Sequence, residues 1–364
     1  MSRFSGFGQR LYNGESSVDF VGRRKTWYIV SSIILLVAIG SLVLRGGLNL
    51  GIEFRGGGDF GVPNATCSVE QARVVAEAQT GSQAIVTVAG NGTVRVQTES
   101  LTPAESTVLA ASLAKTCGVG VDTIKIQVVG PSWGSEISKK ALQGLVVFLL
   151  LVALFMSIYF EWRMAVAGLL ALAHDLVITV GLYALFGLEV TPATVIGFLT
   201  ILGFSLYDTI VVFDKVRENT RNITAQSVMT FGESANLAVN QTLVRSINTS
   251  IVALLPVLAI IIVGAGVLGA GTLLDLAVAL AVGMAVGAYS SIFVATPFFV
   301  QLKEKEPQII ALSNRVYARR AQSAKSAKGT DAAADEQGEV TTLVEAGPRQ
   351  QPKRAPRSKR PKKS

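Results

Sequence analysis

Residues 194–213 read TVIGFLTILGFSLYDTIVVF, an apolar run long enough to cross a bilayer with one acid, Asp208, inside it. A charge near the bilayer centre costs roughly 2.5–3.5 kcal/mol on insertion scales, so this acid must face protein or water. Two further runs repeat the pattern. AGLLALAHDLVITVGLYALF (167–186) encloses His174 and Asp175, and Arg245 stands at the head of SINTSIVALLPVLAIIIVG (246–264). An acid in a bundle interior that takes up and releases a proton is what a proton-driven pump needs, and the chain reads first as a transporter.

The rest of the composition agrees. Of 364 residues 50% are hydrophobic and 16% charged, against about 25% charged in a soluble domain, and the mean hydropathy is +0.47. Runs of about 18 or more apolar residues give six spans: 27–44, 141–159, 164–186, 192–213, 243–263 and 273–300. The first follows RRKTW and lacks a cleavage site, so it reads as a retained anchor. The expected fold is an α-helical polytopic membrane protein with a small α+β, ferredoxin-like outer domain between the first and second spans. The expected divisions are an N-terminal segment 1–26, the first helix 27–44, the α+β domain 45–140, a five-helix bundle 141–301 and a disordered basic tail 302–364.

Orientation follows the Lys and Arg of the flanking segments. Arg3, Arg10, Arg23, Arg24 and Lys25 precede the first span, Lys215, Arg217 and Arg221 follow the fourth, and the tail is basic. Both termini are therefore expected in the cytoplasm. Residues 48–135 carry five Lys or Arg and seven Asp or Glu and belong outside; Lys139 and Lys140 vote the other way and are outnumbered. The tail from 321 is poor in large apolar residues, and no core is expected of it. Its KRAPRSKRPKK run suits anionic lipid or ribosomal RNA, or is simply a solvated positive-inside end.

The outer segment has its own pattern. DFGV (59–62) reads as a strand, 69–79 as a helix, AIVTVAGNGTVRVQT (84–98) as two strands about an Asn91-Gly92 turn, the stretch after Pro103 as a helix and 123–130 as a strand. That order, β-α-β-β-α-β, is ferredoxin-like. Cys67 and Cys117, the only cysteines, fall in an oxidising compartment that favours a disulfide. Against it stands a placement of the first helix start and second helix end at opposite ends of the sheet. The pairing stays open on sequence.

Asp208 lies six residues before Asp214, about 9 Å inside the boundary at 1.5 Å per residue, and Arg245 comes back from the same side. The two can reach similar depth. An arginine beside the acid holds it ionised and its withdrawal releases it, a switch in principle; a static ion pair, or an arginine that snorkels, fits the same residues. His174 and Asp175 lie about 17 Å into the third span and point about 100° apart. Asp175 is the functional candidate and His174 a packing residue. Asp214 and Asp275 read as interfacial or capping acids, and GMAVG (283–287), Gly197 and Gly203 as close-packing positions. There is no G-x-x-x-x-G-K-S/T loop or zinc spacing, so an ATP-driven pump is disfavoured and no metal, cofactor or enzymatic activity is expected.

GLNLGIEFRGG (47–57), VGPSWGSEISKKAL (129–142), SLYDTIVVFDKVREN (205–219) and QTLVRSINTSI (241–251) resemble, in order, motifs of the SecD/SecF family of the resistance-nodulation-division superfamily. The likeness covers most of residues 20–302. It implies an accessory subunit of the Sec export machinery in the bacterial plasma membrane, with SecD, the SecYEG translocon, unfolded exported polypeptides and protons as partners and anionic lipid as a candidate for the tail. The family's proton-coupling acid falls on Asp208 and its essential arginine on Arg245. Glu53 stands where the family usually has Asp, and Tyr207 where it usually has Asn. Rival readings are a proton-coupled exporter of lipids or small molecules and a non-transporting translocon scaffold.

Overall fold

The computed structural model describes residue 10 and residues 17–88, 92–263 and 271–335. Its elements in chain order begin with α1 (Arg24–Leu44), β1 (Asn49–Leu50), α2 (Ile52–Arg55), β2 (Gly57–Val62), α3 (Val69–Thr80), β3 (Ile85–Val88), β4 (Val94–Thr98), α4 (Pro103–Cys117) and β5 (Lys125–Val129). They continue with α5 (Pro131–Tyr159), α6 (Trp162–Phe186), β6 (Glu189–Val190), α7 (Pro192–Asn219), α8 (Phe231–Val263), α9 (Gly271–Ser290), a π-helical turn (Ser291–Ala295), α10 (Thr296–Lys303) and α11 (Pro307–Asp335). Among the described residues six helical stretches are long and apolar enough to cross a membrane: α1, α5, α6, α7, α8, and the run through α9, the π turn and α10. The chain is a multi-pass membrane protein.

The α+β domain follows its sequence pattern closely. β3-β4-β2-β5 form one antiparallel sheet in that order, the ferredoxin-like arrangement. Ser68 and Thr102 open α3 and α4 with capping boxes, and Gly81 and Gly118 close them in the left-handed region. Phe60, Val62 and Val96 on the sheet pack with Ala72, Ala76, Leu109 and Leu113 on the helices. Gly92 keeps φ near +79°; Asn91 lies outside the described residues.

Cys67 and Cys117 are joined, with Cα atoms 4.4 Å apart. The opposing placement weighed above is incorrect. In an all-antiparallel sheet the chain runs up β2, down α3, up β3, down β4 and up α4, so the start of α3 and the end of α4 meet at the same end.

In the bundle, small residues set how closely helices approach. A Cβ on Gly283 would stand 2.2 Å from Ile201, one on Gly287 2.9 Å from Ser205, and one on Gly197 2.8 Å from Ala279, all across the α7–α9 contact. Gly203 has nothing within 4 Å and plays no such part. Met156, Met164, Leu172, Phe213 and Phe299 fill the centre. Residues 18–21 lie along α8, where Asn236 Oδ1 accepts from Phe20 N at 2.8 Å and Asn240 Nδ2 donates to Val18 O at 2.9 Å.

Helix extends into the stretch from 302 that the sequence reading leaves unstructured, through Asp335. Two causes act there. Ile309, Leu312 and Val316 are buried, and 321–335 is rich in Ala, with high intrinsic helix propensity. The run 353–363 expected to meet lipid or RNA lies outside the described residues.

Candidate functional site in the helix bundle

Asp175 and Asp208 are 1% and 4% exposed, so both carboxylates are out of contact with solvent within this chain. A buried carboxylate needs its lone pairs satisfied. Serines do this. Asp175 Oδ2 accepts from Ser205 Oγ at 2.5 Å and from Ser290 Oγ at 2.8 Å. Asp208 Oδ1 accepts from Ser246 Oγ at 2.6 Å, and its Oδ2 from Ser291 Oγ. All four serines are themselves buried.

The helices account for the placement. Ser205 and Asp208 stand three apart on α7 and so share a face, which brings a donor to Asp175 of α6 and the acid itself toward α8 and α9. Ser290 ends α9 and Ser291 begins the π turn. Neighbours on a helix point about 100° apart, and one of the pair reaches each acid. The π turn lets this pair sit between two helices, and Thr296 Oγ1 donates to the Ser291 carbonyl at 3.1 Å where the helical ladder is interrupted. Gly287, four residues earlier, admits Ser205 against α9.

His174 joins the site from α6. Its Nδ1 lies 3.1 Å from Asp175 Oδ1, so adjacent residues, expected to face apart, bond to each other through their side chains. The ring stacks on Tyr289 at 6.2 Å between centroids, and Tyr289 Oη lies 2.9 Å from Ser31 Oγ on α1.

Arg245 departs from expectation. It precedes Ser246 on α8, is exposed, and forms no ion pair among the described residues. The static Asp208–Arg245 ion pair is absent because the face of α8 turned to Asp208 carries Ser246, and the next residue back points about 100° away. Asp214 is exposed, and Asp275 is half-buried, its carbonyl accepting from Tyr183 Oη at 3.1 Å. The serines were missed in the sequence. Their one signal was the Ser290-Ser291 pair within an apolar run.

The bundle is tied to the α+β domain by the connection between α6 and α7. β6 of that connection pairs in parallel with β1. Glu189 Oε2 accepts from Arg95 Nη1 at 2.7 Å and its Oε1 from Gln97 Nε2 at 2.8 Å, while Arg95 Nε donates to Asp59 Oδ2 at 2.5 Å. Burial alone would lower the Arg95 pKa; the hydrogen bonds and charges of Asp59 and Glu189 outweigh it, and the net shift is upward. The helices that carry Asp175 and Asp208 are thus hydrogen-bonded, through one loop, to the sheet.

Six spanning helices among the described residues, two buried acids on neighbouring ones and a ferredoxin-like insert define a polytopic membrane protein with carboxylates inside its helix bundle. Residues 109–305 match the family described as protein export membrane protein SecD/SecF, C-terminal, and the chain belongs to that family. It is 50% identical to the protein translocase subunit SecF of Streptomyces coelicolor over 97% of this chain and 96% of that one. It is 41% identical to the SecF of Mycobacterium tuberculosis, over 98% and 84% respectively. A crystal structure of SecDF from Thermus thermophilus, described as a translocon-associated membrane protein, superposes with a TM-score of 0.71 at 31% identity, over 80% of this chain. The chain spans 39% of that SecDF chain.

Proposed function

We propose that this chain is a subunit of the Sec protein translocase that, with SecD, uses the proton gradient to drive late stages of protein export across the bacterial plasma membrane. The observation that carries the reading is the ligation of Asp208 by hydroxyls. A serine hydroxyl donates to an ionised carboxylate and accepts from a protonated one, whereas a guanidinium only donates. Asp208 can therefore gain or lose a proton while Ser246 and Ser291 stay in place: the one hydroxyl that faces the protonated oxygen turns from donor to acceptor, and the other keeps donating. Ser290 and Ser291, adjacent in the chain, extend the same chemistry to Asp175, which serves as the second acid of the relay.

In this reading the protonation of Asp208 changes which packing of α7, α8 and α9 is preferred. Rotation of α8 by about 100° would exchange Ser246 for Arg245 beside the acid, the charged-partner state of the cycle. The α6–α7 connection passes the movement to the α+β domain through Arg95, Asp59 and Glu189. That domain lies outside and both termini inside, by the distribution of basic residues. It holds an emerging unfolded polypeptide delivered by the SecYEG translocon.

The partnership with SecD is supported by the exposed Arg245. A charged residue on a spanning helix must meet protein, water or, near a helix end, the headgroups, and a second chain over this face of α8 would meet that need. The names of the Thermus SecDF and the SecF relatives point the same way.

The test is late-stage translocation in vesicles, with and without a proton gradient. Asp208→Asn keeps the hydrogen bonds available and is cheaper to bury than a carboxylate, so the chain should fold and assemble while the gradient-dependent part of export is lost. Asp208→Asn export that still responds to the gradient like wild type would leave the scaffold reading as the better one.

A further inference from the structure

At the α+β-domain end of the bundle lie two neighbouring cavities that the proton relay does not use. One, of about 360 Å³, is walled by Leu48, Ala141, Leu145, Val180 and Phe198, with Ser138 the one polar side chain of its lining. The other, of about 220 Å³, shares Leu48 and is walled by Arg45, Asn49 and Arg55. Arg45 follows the last residue of α1, and Gly187, also on the polar cavity, follows the last residue of α6. The polar cavity therefore sits where two spans end. Val180 lies six residues before the end of α6, about 9 Å further along the span at 1.5 Å per residue. An apolar slot thus runs into the membrane-crossing layer beneath a cationic mouth.

The two guanidiniums are held but not neutralised. Arg45 Nη2 donates to the Leu185 carbonyl at 2.9 Å and Arg55 Nη2 to the Leu48 carbonyl at 3.2 Å. A guanidinium has five N–H donors in a fork suited to phosphate, and neither arginine has an ion-pair partner among the described residues. We infer that the two cavities are one binding site for an anionic phospholipid. Its phosphate sits against Arg45 and Arg55, and one acyl chain lies between α5 and the α6–α7 pair. A free anion leaves the apolar half unexplained.

The test uses the full-length protein, delipidated in mild detergent and offered equal amounts of phosphatidylglycerol and phosphatidylcholine, with retained lipid counted by native mass spectrometry. Two guanidinium–headgroup contacts give an expected preference for phosphatidylglycerol of roughly thirtyfold. That preference should vanish in Arg45→Gln/Arg55→Gln and survive in Arg45→Lys/Arg55→Lys. Ala141→Trp, which fills the slot, should lower retention of both lipids about tenfold without changing their ratio. Equal retention of the two lipids by wild type, or retention unchanged by the Gln pair and by Ala141→Trp, overturns the site. So does full displacement by inorganic phosphate, which would make it an anion site, and so does loss of the lipid on adding SecD, which would make the groove a chain interface.

Discussion

Asp59 and Glu189, where the α+β domain meets the bundle, share the Arg95 guanidinium, whereas Asp175 and Asp208, inside the bundle, are held by four serine hydroxyls and one imidazole. The first pair is bound to a fixed cation, which favours one charge state and one geometry. The second is bound mainly by groups that donate or accept equally well. A fixed cation suits an acid that fastens, and hydroxyls suit the acids proposed above to exchange a proton, so the partner sets what each carboxylate can do.

The largest effect is expected at the disulfide, a cross-link of the α+β domain that the bundle, which holds no cysteine, lacks. For the 50-residue separation of Cys67 and Cys117, loop-closure entropy gives about 4 kcal/mol. Cys67→Ser/Cys117→Ser should therefore loosen residues 57–129, read by hydrogen exchange in the full-length protein, and leave amide protection in α6 and α7 unchanged.

Next in size is the contrast of two arginines. Arg95→Ala strips Asp59 and Glu189 of their shared donor and should cost about 2–3 kcal/mol by the penalty for unsatisfied buried acceptors. Arg245→Ala removes an exposed side chain and should change stability by less than about 0.5 kcal/mol, measured by thermal unfolding of the purified protein. A loss of about 3–5 kcal/mol at Arg245, the signature of a broken buried pair, would restore the ion pair with Asp208.

The smallest effect sharpens what a fixed partner does. Glu105 accepts from the Thr102 backbone N–H and hydroxyl, both at 2.8 Å, and the backbone bond first, then the hydroxyl, hold its carboxyl below its usual value. Its folded pKa lies under the unfolded one, so its contribution is complete above the ordinary glutamate range and fades as pH falls through the lowered value. Hydrogen exchange in the first turn of α4 should quicken over that acid window in wild type, and the added pH dependence should be missing in Glu105→Gln.

These two regions also differed in how far their sequence could be read. The α+β domain was legible because alternation, capping residues and turn glycines fix its elements locally. The one false step there, the supposed separation of Cys67 and Cys117, came from tracing the helix directions wrongly. In the bundle the spans were legible from length and hydropathy, and Asp175 and Asp208 from the cost of a charge in an apolar run. The rotation of α8 was not legible. Apolar residues surround that helix on several sides, so no periodicity says whether Arg245 or Ser246 faces α7. The serine donors were equally hidden, since a serine in an apolar helix commonly bonds to its own backbone four residues earlier, as Ser157 does to Ala153.

Asp208 is proposed to change protonation without losing its hydroxyl partners. Infrared difference spectroscopy of the purified protein across a pH step, with Asp208→Asn and Asp175→Asn as controls, reads it most directly. The account predicts a protonated-carboxyl stretching band on acidification that is missing in Asp208→Asn and shifted by Ser291→Ala, which removes a hydrogen-bond partner. A spectrum in which Asp208→Asn leaves every carboxyl band unchanged would contradict it.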